Sequence, residues 1–228
     1  MPRLLAIGDI HGCSRALDAL LLAVKLEPSD QLVTVGDYVD RGPDSRGVLD
    51  RIIDLHGSGR LVALRGNHEL MMLHARSSSD SLLFWLAVGG QQALESYARP
   101  GQAARLDDIS EAHLRFLRAS CVDWHETERH FFVHGSVAPD SPLDLQPSAL
   151  LHWEMCTPQT PPHCSGKVMV CGHAEQRGGW PLVLDHAICI DTWAYGGGWL
   201  TCLEVLSGQI WQANQLGETR KGWIDRPL

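Results

Sequence analysis

Metal-ligand side chains recur in short polar loops along this 228-residue sequence, each loop directly after an apolar run. In chain order they are Asp9, His11, Asp37, Asn67, His134 and His173. Two carboxylates, three imidazoles and one amide oxygen form a nitrogen and oxygen set without thiolate, which suits Mn, Fe or Zn. Six ligands are too many for one catalytic ion with an open position, but they suit two ions that share a carboxylate and a water molecule. The residue types therefore predict a site for two divalent metal ions.

The same loops carry side chains suited to a phosphoryl substrate. Arg41 and Arg65 offer planar sets of donors that match phosphate oxygens, although each could instead have a structural role. His68 can donate a proton to a leaving group. Asp40 can orient that imidazole and raise its pKa, because an opposite charge favours the protonated form. These four residues predict chemistry on a phosphate ester.

The elements that must position these loops follow a β-α-β cadence over the first third of the chain. Predicted strands cover Arg3–Ile7, Gln31–Val35 and Arg60–Leu64, and two later strands precede His134 and His173. Helices between the first strands are indicated by apolar residues at helical spacing. Ligands bind beyond the carboxyl ends of strands in open α/β sheets, so the loops should meet at one sheet edge.

The rest of the chain predicts additions to this α/β framework rather than a second domain. We expect a single domain over residues 1–228, with a helical insert at about 74–120 and a Pro-rich loop at about 139–166. Short strands are expected in the second half of the chain, over Trp124–Glu126, Arg129–Val133, Lys167–Val170, Leu182–Leu184, Ala187–Ile190, Trp199–Leu206 and Gln209–Gln212. A two-residue hairpin turn at Ser207 and Gly208 is expected near the end.

Composition excludes several classes of function. The 19 Lys and Arg residues against 27 Asp and Glu residues give a formal charge of -8, the wrong sign for binding nucleic acid through a basic surface. No apolar stretch approaches the roughly 20 residues of a membrane span. The first residues lack a secretory signal pattern, and the seven cysteines have no metal or disulfide spacing. We expect a cytoplasmic protein with reduced thiols and without membrane or nucleic-acid partners, and its oligomeric state stays open.

Three of the loops resemble a known family when they are taken together. They are Gly8-Asp9-Ile10-His11-Gly12, Gly36-Asp37-Tyr38-Val39-Asp40-Arg41-Gly42 and Arg65-Gly66-Asn67-His68-Glu69. They resemble the calcineurin-like metallophosphoesterases and, more narrowly, the phosphoprotein phosphatase branch. Val133-His134-Gly135, Gly172-His173 and Ile190-Asp191-Thr192 extend the likeness to small bacterial and bacteriophage lambda type serine/threonine protein phosphatases.

The resemblance implies a fold, an activity and a role for each residue. The fold would be an α/β sandwich of mixed β-sheets flanked by helices, and the activity a manganese, iron or zinc dependent phosphatase acting on phosphorylated proteins or peptides. Asp9, His11 and Asp37 would bind the first ion, and Asp37, Asn67, His134 and His173 the second. A metal-bridging hydroxide would attack phosphorus in line. His68 would be the general acid supported by Asp40, and Arg41 and Arg65 would bind the phosphoryl oxygens.

The sequence departs from the family pattern at one position and leaves two other functions open. Relatives carry a further phosphate-binding arginine in a segment that resembles Trp153-Glu154-Met155, and Arg177 is a candidate substitute. A symmetrical dinucleoside tetraphosphate hydrolase is the main alternative, but that group tends to lack residues matching Asp40 and Arg65. A non-catalytic phosphate-binding module is the other alternative, although no predicted ligand is missing.

Overall fold

The computed structural model describes residues 2–225, which form two mixed β-sheets packed face to face. The six-stranded sheet has the order β11-β10-β9-β1-β2-β3, and the five-stranded sheet has the order β4-β5-β6-β8-β7. The strands are β1 Leu4–Ile7, β2 Gln31–Thr34, β3 Leu61–Ala63, β4 Trp124–Glu126, β5 His130–Val133, β6 Val168–Cys171, β7 Leu182–Val183, β8 Ala187–Cys189, β9 Leu200–Glu204, β10 Gln209–Ala213 and β11 Thr219–Trp223.

Helices cover the outer faces of the sheets. They are α1 Ser14–Val24, α2 Ser45–Gly57, α3 Asn67–His74, α4 Ser79–Trp85, α5 Gln91–Glu95, α6 Glu111–Ala119 and α7 Ser148–Trp153. Strands β1, β2 and β3 are parallel, and so are β5, β6 and β8. The mixed α/β sandwich predicted for the fold is confirmed.

Strands near the centre of the sandwich are buried on both faces, which explains their continuous apolar sequences. Successive side chains of a strand point to opposite faces. Phe132 and Val170 accordingly join the core between the sheets, whereas Phe131 and Met169 pack on the outer side of the second sheet. Leu5 of β1 packs against the helices that cover the first sheet.

Two predicted segments differ from the structure in detail. The Pro-rich segment at about 139–166 is not a loop throughout, because it contains α7 and a short 3-10 turn at Leu143–Leu145. Pro147 directly precedes α7. Proline suits this position because an N–H group at the start of a helix would have no acceptor within the helix. Strand β11 is an edge strand without a fully buried residue, and Thr219, Arg220 and Lys221 make up most of it, so it lacked the apolar pattern that predicts a strand. The single-domain organisation with an insert at about 74–120 stays a prediction.

Candidate metal centre

The loops after β1 and β2 are held against each other by main-chain hydrogen bonds. The N–H groups of Ile10 and His11 donate to the carbonyl oxygen of Asp37 at 3.0 and 2.8 Å. His11 and Asp37 both have positive φ angles, 46° and 51°, a conformation that is uncommon for residues other than glycine. The strand ends therefore bring these two predicted ligands into one site.

Asp37 lies at the centre of this site, and its two carboxylate oxygens face different imidazoles. Oδ1 is 3.4 Å from Nε2 of His134, and Oδ2 is 3.4 Å from Nε2 of His11. Asp37 belongs to two groups of side chains whose ligand atoms lie within 4.8 Å of one another, one with His11 and His68 and the other with His134 and His173. This arrangement suits a carboxylate shared by two metal ions.

The buried imidazoles are oriented by carbonyl groups. Nδ1 of His11 donates to Val39 O, and Nδ1 of His134 donates to Val35 O, both at 2.9 Å. A carbonyl only accepts, so Nδ1 carries the hydrogen and Nε2 keeps the lone pair that a metal needs. His173 is oriented in the opposite sense, because its Nε2 donates to Trp153 O at 3.1 Å and leaves Nδ1 free.

Burial also favours the neutral form that binds metals. It lowers the pKa of His134 to about 4 and holds the pKa of His11 well below its usual range. Asn67 completes this side of the site, since its Oδ1 is 3.0 Å from Nε2 of His134. The predicted nitrogen and oxygen ligands therefore converge in ligand-competent form.

Asp9 provides an independent indication that this site binds a cation. Its Oδ2 accepts a hydrogen bond from His173 N at 3.0 Å, but its buried Oδ1 has no hydrogen-bond partner within residues 2–225. Burial, with Asp191 and Asp37 nearby, raises the pKa of Asp9 well above its usual range. A buried carboxylate oxygen without a partner is costly unless a cation pairs with it. The residues of this site thus fit divalent metal ions.

His68 is oriented by a hydrogen bond to Asp40 beside the metal ligands. Its Nδ1 lies 2.7 Å from Asp40 Oδ2, and its Nε2 lies 4.0 Å from Asp37 Oδ2. The indole N–H of Trp85 contacts both oxygens of Asp40, at 2.9 and 3.0 Å. Burial alone would lower the pKa of His68, but the negative charges of Asp37 and Asp40 outweigh it and raise that pKa. The arrangement gives an imidazole whose free nitrogen can carry a proton at the site.

Glu69 supports the second loop from below. Its buried carboxylate accepts hydrogen bonds from the main-chain N–H groups of Asp37, Tyr38, Val39 and Gly66 at 2.8 to 3.2 Å. Four donors fix the turn that presents Asp37. Glu69 ends the third sequence motif, Arg65-Gly66-Asn67-His68-Glu69, but its residue type alone did not indicate this supporting role.

The two predicted phosphate-binding arginines have different surroundings. Arg41 follows Asp40, and its Nη1 donates to Glu175 at 2.8 Å while the guanidinium lies over the ring of Tyr195. Arg65 instead donates to the carbonyl oxygens of residues 117 and 121 and, at 2.9 Å, to Asp123. The structure does not bring the Arg65 guanidinium together with the other predicted residues, because its donors bond the last turn of α6 and the segment that follows it.

A mainly apolar cavity of about 380 Å³ adjoins the site. It is lined by Leu70, Met71, His74, Ser81, Phe84, Ser148 and Trp153. Leu70 and Met71 belong to the same helix as His68, and Trp153 carries the carbonyl that accepts from His173. The cavity therefore lies beside His68 and His173.

Comparison with known proteins decides the family. A sequence model described as calcineurin-like phosphoesterase matches residues 2–180. The chain belongs to the calcineurin-like phosphoesterase family. It is also 48% identical over 206 residues to a protein named serine/threonine-protein phosphatase 1 from Salmonella typhimurium, covering 87% of this chain and 90% of that protein.

Two further relatives of this phosphoesterase differ in how much they share. A symmetrical bis(5'-nucleosyl)-tetraphosphatase from Paracidovorax citrulli is 37% identical over 152 residues, which cover 60% of this chain and 54% of that protein. A solved protein serine/threonine phosphatase from Saccharomyces cerevisiae superposes with a TM-score of 0.62 at 16% identity, covering 99% and 81% of the two chains. That structural likeness shows the fold alone.

Proposed function

We propose that this phosphoesterase is a metal-dependent phosphomonoesterase that removes phosphate from phosphoserine and phosphothreonine in proteins or peptides. The observation that carries the proposal is the imidazole of His68, hydrogen-bonded to Asp40 and placed beside the two-sided carboxylate of Asp37. The extensive identity to the Salmonella typhimurium phosphatase supports the same activity.

The proposed metal ligands divide into two sets that share Asp37. The first set is Asp9, His11 and Asp37, and the second is Asp37, Asn67, His134 and His173. Bound divalent metals would make water a nucleophile near neutral pH and offset the charge of the phosphoryl group. We propose Mn as the native metal, with Fe or Zn as alternatives that accept the same ligands.

The other polar residues would bind the phosphoryl group and move the proton. Arg41 would donate its free guanidinium N–H groups to phosphoryl oxygens, a planar match that an ammonium does not offer. Nε2 of His68 would donate its proton to the leaving oxygen, while Asp40 holds Nδ1 and stabilises the charged imidazole. The negative charge of Asp40, 2.7 Å from Nδ1, favours the protonated imidazole that this step requires.

The apolar cavity beside the site favours a substrate that carries bulky groups next to its phosphate. Leu70, Phe84 and Trp153 would contact such a group, as side chains of a peptide or the ring of an aryl phosphate. Activity on small aryl phosphates is therefore expected as well, and phosphotyrosine is a further possible substrate class.

The second candidate function is hydrolysis of symmetrical dinucleoside tetraphosphates, which the similarity to such an enzyme over part of the chain supports. The pairing of Asp40 with His68 argues against it, because that group tends to lack a residue matching Asp40. Phosphomonoester hydrolysis is therefore the function that the site supports better.

Steady-state kinetics on one Mn²⁺-loaded preparation test the proposal. We expect the highest kcat/KM on a phosphoserine or phosphothreonine peptide, a lower value on a phosphotyrosine peptide, and the lowest on diadenosine tetraphosphate. A higher kcat/KM on diadenosine tetraphosphate would assign the second function. Absence of turnover on all of them, with metal bound, would indicate a non-catalytic module.

The role of His68 is tested by the variant His68→Asn. We expect kcat to fall by about 100-fold or more, the usual contribution of a positioned general acid. KM and metal content should stay near those of the parent protein, because His68 is not among the proposed ligands. Loss of both metals in this variant, measured by plasma mass spectrometry, would instead make His68 a ligand.

A further inference from the structure

Glu175 lies two residues after His173, and its carboxylate accepts hydrogen bonds from three side chains. Oε1 accepts from Nη1 of Arg41 at 2.8 Å and from the hydroxyl of Tyr195. Oε2 accepts from Nη2 and Nε of Arg177 at 3.0 and 3.2 Å. The side chain is only 19% exposed, so these bonds hold the carboxylate in a largely enclosed position. The two oxygens therefore have separate partners.

One guanidinium nitrogen of Arg41, Nη1, is held by Glu175, whereas the other two nitrogens are available to a ligand. Its main-chain N–H donates to Gly89 O at 3.0 Å, and its guanidinium lies 4.6 Å above the ring of Tyr195. Among the described residues, Glu175 is the only hydrogen-bond partner of the Arg41 side chain. The donors Nε and Nη2 remain for a ligand, and their direction is set by the ring and by the tether at Nη1.

We propose that Glu175 is a positioning residue that holds Arg41 ready for the phosphoryl group. The inference rests on the proposed role of Arg41 in phosphate binding. A long arginine side chain loses rotamer freedom when it binds a ligand, and a side chain already held in place loses less. Glu175 thereby strengthens binding of phosphate without touching it.

Two contacts hold the guanidinium of Arg41: the hydrogen bond to one oxygen of Glu175 and the face of the Tyr195 ring. The hydroxyl of Tyr195 bonds the same oxygen that holds Arg41, so a single tyrosine both supports the guanidinium and fixes its partner. The ring of Tyr195 also meets the ring of His11 edge to face at 5.1 Å, which places this cluster at the metal site. Arg177 bonds the other oxygen and its side chain is 69% exposed.

The test compares Glu175→Met, which removes both acceptors at similar length, with Glu175→Gln, which keeps an acceptor oxygen. With p-nitrophenyl phosphate as substrate, we expect KM to rise about tenfold in Glu175→Met with kcat nearly unchanged, the pattern for lost uniform binding. The inhibition constant of inorganic phosphate should rise in parallel. Glu175→Gln should restore both values to within about threefold of the parent.

Glu126→Met is the matched control, because Glu126 also accepts a hydrogen bond from a basic side chain, Nζ of Lys167 at 2.8 Å, but lies on β4 and has no contact with Arg41. We expect its KM to equal that of the parent protein. An increase in KM equal to that of Glu175→Met would overturn the proposal, since the effect would then not depend on the contact with Arg41.

Arg41→Met separates this proposal from the function on which it rests. We expect Arg41→Met to raise KM, and the addition of Glu175→Met to cause no further increase, because residues that act as one unit are not additive. If Arg41→Met leaves KM unchanged, the phosphate role of Arg41 is wrong. If Arg41→Met raises KM but Glu175→Met does not, the positioning role alone is wrong.

A second variant covers the case in which Glu175→Met does not fold. Tyr195→Phe keeps the ring under Arg41 but removes the hydroxyl that fixes Glu175. We expect a rise in KM of about two- to threefold with unchanged metal content, consistent with loss of one hydrogen bond. An unchanged KM together with an unchanged phosphate inhibition constant would count against the tether.

Discussion

Backbone strain is concentrated at the residues that carry the proposed chemistry. His11, Asp37, Asp40, Arg41 and His173 all have positive φ angles. A non-glycine residue in this conformation costs on the order of 1–3 kcal/mol and persists only where its surroundings impose it. The hydrogen bonds of the surrounding loops provide that constraint, and the result is a set of side chains directed at one point.

Trp85 is expected to affect the chemistry through Asp40. In Trp85→Phe the indole N–H that contacts both Asp40 oxygens is lost, and Asp40 then holds His68 less firmly. A hydrogen bond to a charged group contributes about 1.5–3 kcal/mol, so a fall in kcat of about four- to twelvefold is expected if half of it is lost in the transition state.

Steady-state kinetics and metal analysis check this expectation, with Trp223→Phe as the control because Trp223 is 61% exposed on β11. The control should keep full activity. An unchanged kcat in a folded, metal-loaded Trp85→Phe protein would mean that Asp40 needs no support from the indole.

Gly172 is expected to be essential for the position of Asp9. A Cβ atom on residue 172 would lie 2.0 Å from Asp9 Oδ1 and 2.9 Å from a methyl group of Val35. Gly172→Ala should therefore displace the carboxylate and reduce Mn²⁺ affinity by about tenfold or more, as loss of ligand support does.

Metal content after equilibrium dialysis measures the effect of Gly172→Ala. Gly178→Ala is the matched control, since a Cβ atom at Gly178 has no neighbour within 4 Å. Equal Mn²⁺ affinity in the two variants would show that the close approach of Gly172 to Asp9 is not required.

The metal-ligand set and the pairing of Asp40 with His68 could be predicted from the sequence, whereas the partners of Arg65 and Trp85 could not. The ligand set follows from side-chain chemistry at strand ends, and Asp37, His134 and His173 do meet in the structure. Arg65 shows the limit, because its carbonyl and Asp123 partners lie more than 50 residues away in sequence. Trp85 gave no local signal of its contact with Asp40.

At the scale of elements, the helical segment after α3 supports the second metal loop. Trp85 ends α4, and a kinked turn at Leu86–Gly90 joins it to α5. Gly89 in this turn has a φ of 119° and accepts a hydrogen bond from Arg41 N, and a Cβ atom there would lie 2.6 Å from Arg41 Cγ. The kink thus contacts the main chain of Arg41 while the neighbouring indole of Trp85 bonds Asp40, so this segment positions both residues.

The first βαβ unit is expected to depend on an ion pair between Arg3 and Asp30. Nε of Arg3 donates to Asp30 Oδ1 at 2.9 Å, and the same guanidinium bonds the carbonyl oxygen of Lys25 at 3.0 Å. The Asp30 side chain is fully buried. Asp30→Asn should lower the free energy of unfolding by about 1.5–3 kcal/mol at pH 7.

The effect of Asp30→Asn should depend on pH. The hydrogen bond from Arg3 lowers the pKa of Asp30, so its stabilisation is present above the unfolded pKa of about 4 and disappears as pH falls through the folded value. Urea unfolding from pH 7 to pH 3 checks this, with the exposed Asp54→Asn as control. A stability difference between parent and variant that stays constant to pH 3 would contradict the prediction.

Predicted elements were accurate where apolar periodicity was strong. Strands β1, β2, β5, β6 and β9 were expected within one or two residues of their observed bounds because their buried positions are apolar. Helix α7 and strand β11 were missed for opposite reasons. The prolines around α7 obscured a short helix, and β11 has too few buried residues to produce an alternating pattern.

At the scale of the whole molecule, the formal charge of -8 hides an uneven distribution. Asp9 and Asp37 are 2% and 1% exposed, so two of the acidic residues lie inside the protein near one another. Carboxylates buried together destabilise a fold unless cations offset them. Two bound divalent ions would offset the negative charge of Asp9 and Asp37, where burial makes that charge most destabilising.

Metal removal is therefore expected to destabilise the protein as well as abolish activity. Dialysis against EDTA should stop hydrolysis of p-nitrophenyl phosphate and lower the melting temperature, and Mn²⁺ should restore both. Mn²⁺ at 100 times its Kd would add about 2.7 kcal/mol to the free energy of unfolding for one site. Scanning calorimetry with and without chelator measures the change, and a melting temperature indifferent to both would contradict the dinuclear site.

No helix in residues 2–225 combines the length and the apolar character that a bilayer span requires. The cytoplasmic location expected from the sequence stays a prediction.

The position of β1 between β2 and β9 affects the order in which the protein can fold during synthesis. Leu5, Ala6 and Ile7 pair with residues 202–204 on one side and with β2 on the other. During synthesis, β1 and β2 leave the ribosome long before β9 does. One edge of β1 therefore stays unpaired until β9 has been made. The loop with Asp9 and His11 follows that strand, and it reaches its final form only after nearly the whole chain has been translated.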